Sequence, residues 1–208
     1  MNYFPEKIYD GAGSYLDAYF DRVRLAQASV SREQIQAAAE LIEETVARDG
    51  MIFSCGNGGS AAIAGHLACD CLKSVRTDTS LRPRVHSLSA TVELMTAIAN
   101  DIGYQEIFSY QLSSMARPGD ILIAITSSGD SPNVVSALAW AKENGMRTIA
   151  MTGFKGGRSL ELADVKLHVD EHNYGVTEDV HQSLMHVLVQ YVRHRRLDTP
   201  DLLGQKKF

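Results

Sequence analysis

Apolar residues recur at three- and four-residue spacing from about residue 14 to 28 and again from about 32 to 48, where Ile35, Ala38, Ala39, Leu41, Ile42 and Val46 share one face. That period predicts two amphipathic helices at the start of the chain. Ser31 followed by Gln34 supplies a capping box for the second. After Asp49 and Gly50 the pattern changes. Met51 to Cys55 is a short apolar run fit for a strand, a glycine-rich loop follows, and a helix is predicted from about Ser60 to Lys73. A polar stretch over 74–83 leads to a strand at Val85 to Leu88, a helix from about Thr91 to Ala99, a second from Gln105 to Met115, and a turn at Arg117 to Asp120. Ile121 to Ile125 is apolar at every position, as in a strand covered on both faces. A helix then runs from Pro132 to Asn144, with Pro132 in its first turn and Gly145 as its stop. A strand over Thr148 to Met151, a short helix near Arg158 to Ala163, a strand over Val165 to Val169 and a long helix from about Thr177 to Arg195 complete the reading.

Strands that alternate with helices of ten or more residues pair in parallel through right-handed crossovers. The predicted fold is therefore α/β: a doubly wound, mostly parallel five-stranded sheet flanked by helices, preceded by N-terminal helices. One domain is expected over residues 1–208, with a helical segment at about 13–48 and an α/β core at about 50–197. Ligands in such sheets bind outside the carboxyl ends of the strands.

Composition narrows the partners. The 208 residues are 45% hydrophobic and 22% charged, ordinary for a globular protein, and carry a net charge of −5. Without a basic excess or a run of Lys and Arg among aromatics, direct nucleic-acid binding is not expected. No stretch reaches the ~18 apolar residues of a membrane span, and the first residues lack a basic segment followed by an apolar one, so the expected location is the cytoplasm. Three cysteines, Cys55, Cys69 and Cys71, fit a reducing compartment rather than a disulfide framework, and Cys69 and Cys71 stand too close for the usual paired-thiolate zinc spacing.

Two loops carry candidate chemistry. Thr126, Ser127, Ser128, Gly129, Asp130 and Ser131 join a buried strand to a helix N-terminus. Free N–H groups and the helix dipole favour an anion there, and hydroxyls can donate to its oxygens. One helix cap needs one acceptor. Four hydroxyls in six residues exceed that need and point to a phosphorylated small molecule. Cys55, Gly56, Asn57, Gly58, Gly59 and Ser60 likewise follow a strand and open a helix, and the glycines let backbone N–H groups approach a ligand. The segment matches neither a Walker loop nor the dinucleotide fingerprint.

Two helix faces add titratable groups. His66 and Asp70 are four apart, and Glu178, Gln182 and His186 fall at i, i+4 and i+8, with His181 offset toward the edge of that face. If the faces converge, His66, Asp70, Glu178 and His186 form either an acid/base set or an N2O2 site for zinc or another divalent ion. His86 and His168 read as hydrogen-bonded core residues. Asn100 and Asp101 end a helix beside the loops.

Taken in order, residues 55–60, Ala97 to Asp101, 126–131, Met151 to Gly153 with Gly156 and Gly157, and the His186 helix resemble the sugar isomerase (SIS) family, and within it the phosphoheptose isomerases. The likeness runs from about residue 35 to 193. It implies a flavodoxin-like SIS fold, a homotetramer with sites at subunit contacts, and interconversion of sedoheptulose 7-phosphate with glycero-manno-heptose 7-phosphate through a cis-enediolate. By position, it implies that Ser60, Thr126, Ser127, Ser128 and Ser131 hold phosphate and that Asn57, Gly58, Gly59, Asn100 and Asp101 meet the sugar. His66 matches a zinc ligand, and His186 matches a residue that is both ligand and proton donor. The chain departs from the family's pattern twice: Asp70 stands where the base is a glutamate, and Glu178 where a glutamine is usual. The base is therefore Asp70 or Glu178. The other function class compatible with the resemblance is a non-catalytic SIS module that senses a sugar phosphate or binds a protein partner, as in the replication-initiator-associating relatives. Retention of His66 and His186 favours the enzyme.

Overall fold

The computed structural model describes residues 3–205 and 207. Two helices, α1 (Ala12–Ser29) and α2 (Arg32–Ala47), precede an alternation of β1 (Met51–Cys55), α3 (Gly59–Lys73), β2 (Arg84–Ser87), α4 (Val92–Asp101) and α5 (Ser109–Met115). The alternation continues with β3 (Ile121–Thr126), α6 (Pro132–Glu143), β4 (Arg147–Thr152), α7 (Gly157–Leu162), β5 (Val165–His168) and α8 (Tyr174–Arg195). The five strands form one sheet in the order β2-β1-β3-β4-β5, and every neighbouring pair is parallel.

The unbroken apolar run of β3 is explained by burial on both faces. Ile121, Ile123 and Ile125 join residues of α2, α3 and α8 in one core, whereas Leu122 and Ala124 join residues of α5 and α6 in the other. Period 2 in a strand sends alternate side chains to opposite faces, so a strand between two helical layers has no polar side to show.

Two helices differ from expectation in their boundaries. The last helix starts at Tyr174 rather than Thr177, because Asn173 accepts from Val176 N at 3.1 Å and caps it there. The helix predicted over 105–115 is split into a 3-10 turn at Tyr104–Glu106 and α5, with Ile107 and Phe108 buried in the core between the pieces. Ser131 opens α6 in extended backbone but makes no side-chain cap bond.

The strand order places β1 and β3 side by side while the chain leaves them in opposite directions, to β2 and to β4. This is the topological switch point, where a crevice opens at the carboxyl ends of the strands. Both unusual loops leave from those two strands. None of the helices among the described residues is long and apolar enough to cross a membrane.

Candidate active site

At the switch point Asn57, Ser60, Thr126, Ser127, Ser128, Ser131, Tyr174 and Glu178 line a cavity of about 140 Å3. That is room for several waters, or for a phosphoryl group with its nearest hydroxyls. The hydroxyls divide by use. Thr126 Oγ1 accepts from Gly129 N and Ser128 Oγ from Asp130 N, both at 3.3 Å, which shapes the loop. The hydroxyls of Ser60 and Ser131 have no partner among the described residues, and Ser127 Oγ is buried without one. A buried hydroxyl left unpaired is uncommon, and a ligand oxygen in this cavity would satisfy it. Helix capping therefore does not account for Ser131.

The loop is held from behind. Gly129 has φ +75°, and a Cβ there would lie 1.9 Å from the Gly156 carbonyl oxygen, so only glycine lets the two loops touch. Asp130 accepts from Arg158 N at 3.1 Å and Arg158 Nε at 3.0 Å, while Arg158 also donates to the Asp130 carbonyl at 2.9 Å. These bonds lower the Asp130 pKa. The glycines at 156 and 157 thus serve as the floor of the hydroxyl loop.

Asn57 is fixed by two groups that periodicity does not single out. Its amide pairs reciprocally with Asn133, at 2.9 and 2.8 Å, and its Oδ1 also accepts from Tyr104 Oη at 3.1 Å. Asn133 is fully buried at the first turn of α6, and a polar amide directly after Pro132 was the signal available in the sequence. Tyr174, on the cavity wall, lies in the turn of α8 that periodicity missed. Asn100 and Asp101 are exposed at the end of α4, bonded to one another at 2.8 Å, and do not line the cavity.

Farther along α3 and α8 a second cluster forms. One ligand atom from each of His66, Asp70 and His186 lies within 4.8 Å of the others. His66 Nε2 is 3.6 Å from Asp70 Oδ1, and His186 Nε2 is 3.8 Å from Asp70 Oδ2. The imidazoles meet edge to face with centroids 5.0 Å apart. Two imidazole nitrogens and a carboxylate oxygen that converge with one side open suit zinc or a similar divalent ion.

Glu178 does not join this cluster, contrary to expectation. Its carboxylate lies in the switch-point cavity, where a Cβ on Gly59 would come within 2.5 Å of Glu178 Oε2. The reason is helical height. Positions 178 and 186 share a face but stand about 12 Å apart along the axis at 1.5 Å per residue. Because α3 and α8 pack in parallel, Glu178 meets Gly59, Gln182 meets His66, and His186 meets Asp70. Burial, and to a lesser degree Asp179, raises the Glu178 pKa. The middle rung is Gln182, whose Nε2 lies 3.0 Å from His66 Nδ1 and 3.2 Å from His186 Nε2.

Three of the remaining histidines pack within the fold away from this cluster. His168 Nδ1 pairs with Thr152 Oγ1 at 3.0 Å, and His86 is half-buried beside Phe53. His181 is fully buried, and burial pushes its pKa down to about 4.

The chain and its fold are similar to known proteins. The SIS domain model matches residues 15–153. A phosphoheptose isomerase from Roseiflexus sp. is 38% identical over 76% of this chain and 80% of its own length. One from Nitratidesulfovibrio vulgaris is 40% identical over 72% of each. The solved phosphoheptose isomerase of Neisseria gonorrhoeae superposes with a TM-score of 0.79 at 32% identity, over 86% of this chain and 95% of that one.

Proposed function

The chain belongs to the SIS domain family, and we propose from that premise that it is a phosphosugar aldose–ketose isomerase, converting sedoheptulose 7-phosphate to glycero-manno-heptose 7-phosphate. The observation that carries this reading is the side-by-side run of α3 and α8, with phosphate-ready hydroxyls at their N-terminal end and the His66, Asp70 and His186 cluster farther along the same pair. Ser60 and His66 are six residues apart on α3, about 9 Å of helix. An extended sugar of seven carbons, with bonds of about 1.5 Å, spans a similar length between its phosphate and its carbonyl.

In this reading Ser60, Thr126, Ser127, Ser128 and Ser131 hold the phosphate, aided by the N-terminus of α6. Asn57, with Gly58 and Gly59, meets the sugar hydroxyls, and Asn100 and Asp101 lie outside the cavity of their own chain. Asp70 is the base, since Glu178 stands at the phosphate end. It takes the proton from C1 of the open-chain ketose while His186 gives a proton to the C2 oxygen. The resulting cis-enediol is resolved when Asp70 returns a proton to C2 and the O1 proton passes to His186. Zinc or another divalent ion, held by His66, Asp70 and His186, would supply positive charge for the enediolate oxygens. Asp70 presents one oxygen to each imidazole, so one can serve as ligand and the other can carry the proton. A homotetramer in the cytoplasm, each chain acting as one SIS domain, completes the proposal.

The test is isotope exchange. Zinc-loaded protein incubated with sedoheptulose 7-phosphate in D2O is expected to form the aldose with deuterium at C2. Asp70→Asn is expected to lower the rate by about 10²-fold or more. Absence of both exchange and isomer across sugar phosphates of five to seven carbons would overturn the reading.

A further inference from the structure

We infer that Gln182 is a positioning residue that sets the tautomer and direction of His66 and His186, and so prepares the pair for a cation. The inference rests on the isomerase reading for its purpose but on separate geometry for its content. Among the described residues, Gln182 is the one side chain hydrogen-bonded to both rings, at 3.0 Å from His66 Nδ1 and 3.2 Å from His186 Nε2. An amide nitrogen carries two N–H donors and no lone pair to offer. With that nitrogen toward both rings, His66 Nδ1 accepts, and His186 Nε2 accepts until it takes up the proton it delivers to the sugar. For His66 this leaves the proton on Nε2, the atom 3.6 Å from Asp70 Oδ1. One amide thereby turns Nε2 of His66 toward the carboxylate and keeps the lone pair of His186 Nε2 beside it.

The same amide can serve the loaded state. Were His66 to hold an ion through Nε2, its proton would sit on Nδ1, and the neighbouring group would have to accept rather than donate. The terminal amide torsion of glutamine is broad and close to two-fold, so an end-over-end turn presents the carbonyl oxygen at little cost. A metal-bound imidazole nearly always gives its other N–H to such an oxygen, which fixes the ring and raises its basicity. Neither leucine nor alanine could do either job. The position follows from the rung spacing: at i+4 from Glu178 and i−4 from His186, residue 182 is the only one on that face of α8 level with His66.

The experiment compares wild type with Gln182→Leu and Gln182→Glu by two readouts that do not depend on turnover. In long-range nitrogen–proton NMR of the metal-free, 15N-histidine-labelled protein, His66 of wild type is expected as the single Nε2–H tautomer and that of Gln182→Leu as an exchanging pair. In competition with a chromophoric chelator, Gln182→Leu is expected to lose 10- to 100-fold in zinc affinity. Gln182→Glu, which can accept from Nδ1–H, is expected to recover most of it. Equal zinc affinity in wild type and Gln182→Leu overturns the inference, as does a wild-type His66 that populates both tautomers. If wild type binds no zinc, the metal in the proposed function falls and the tautomer comparison alone decides the role of Gln182.

Discussion

Ser131 and Glu178 face the same small cavity with opposite effects on an anion. The hydroxyl of Ser131 is free of any cap bond and can donate to a phosphate oxygen; the Glu178 carboxylate repels it. Burial already raises the Glu178 pKa without a phosphate present. A bound phosphate will raise it further, since like charges disfavour ionisation. Glu178→Gln is therefore expected to tighten binding of a sugar phosphate near pH 8 by about 1 kcal/mol, roughly fivefold, the scale of one screened charge pair at contact range. The gain shrinks as pH falls and the wild-type carboxylate takes up a proton. Ser131→Ala is expected to weaken binding by a similar amount, the loss of one hydrogen bond to a charged group. Calorimetric titration across pH checks both signs, and weaker binding by Glu178→Gln would show that the carboxylate supports the ligand.

At the scale of elements, α8 carries both the site and a buried weak point. His181 lies on its sheet-facing side beside Thr152 and His168, and burial, opposed in part by the Thr152 backbone and aided by His168, holds its pKa at about 4. An unfolded histidine titrates near 6.5, so between pH 6.5 and 4 the unfolded chain binds a proton that the folded one refuses. Stability is full above 6.5 and falls as pH drops through that window, by on the order of 3 kcal/mol for His181. Half-buried His168, with its pKa also lowered by burial, adds in the same direction. Urea unfolding at pH 7 and pH 4.5 is expected to show the loss in wild type and a shallower one in His181→Gln; identical slopes would exclude His181 as the cause. The same helix marks what a sequence can and cannot convey. Period 2 and period 3.6 expose which face a residue occupies, so all five strands and the His66/Asp70 and Gln182/His186 faces are legible. Height along a helix relative to its neighbour depends on how two elements dock, and no periodicity encodes it. Hence Glu178, correct in face, stands one turn below the level of His66 and about two turns below His186 and Asp70. The hydroxyl loop escapes this limit because its residues are contiguous and reach one site whatever the docking. Asn133 and Tyr104 went unseen for the opposite reason: they meet Asn57 only after three separate segments fold together.

At the scale of the molecule, the proposed reacting cluster of His66, Asp70 and His186 is open to solvent in the single chain. The side chains of His66 and His186 are 45% and 40% exposed in the single chain, whereas proton abstraction next to a carbonyl gains from exclusion of water. Beside them lies apolar surface without a cover. Leu16, Phe20 and Leu25 of α1 and Val187 of α8 are all about half exposed or more, and a groove of about 350 Å3 between α2 and α8 is lined by Val30, Ile35, Val180, Leu184 and Val187. Exposed apolar surface of this kind marks interaction surfaces. Val187 lines that groove with Val180 and Leu184, one helix face round from His186, so a second copy seated there would close the surface next to the imidazole's. Light scattering is expected to give four times the 22.8 kDa chain mass. Phe20→Asp with Val187→Asp is expected to yield smaller species and to reduce isotope exchange with it, although neither residue touches the proposed substrate. An intact tetramer with unchanged exchange would place the subunit contacts elsewhere. A wild-type monomer with full activity would mean that α3 and α8 enclose enough of the sugar by themselves.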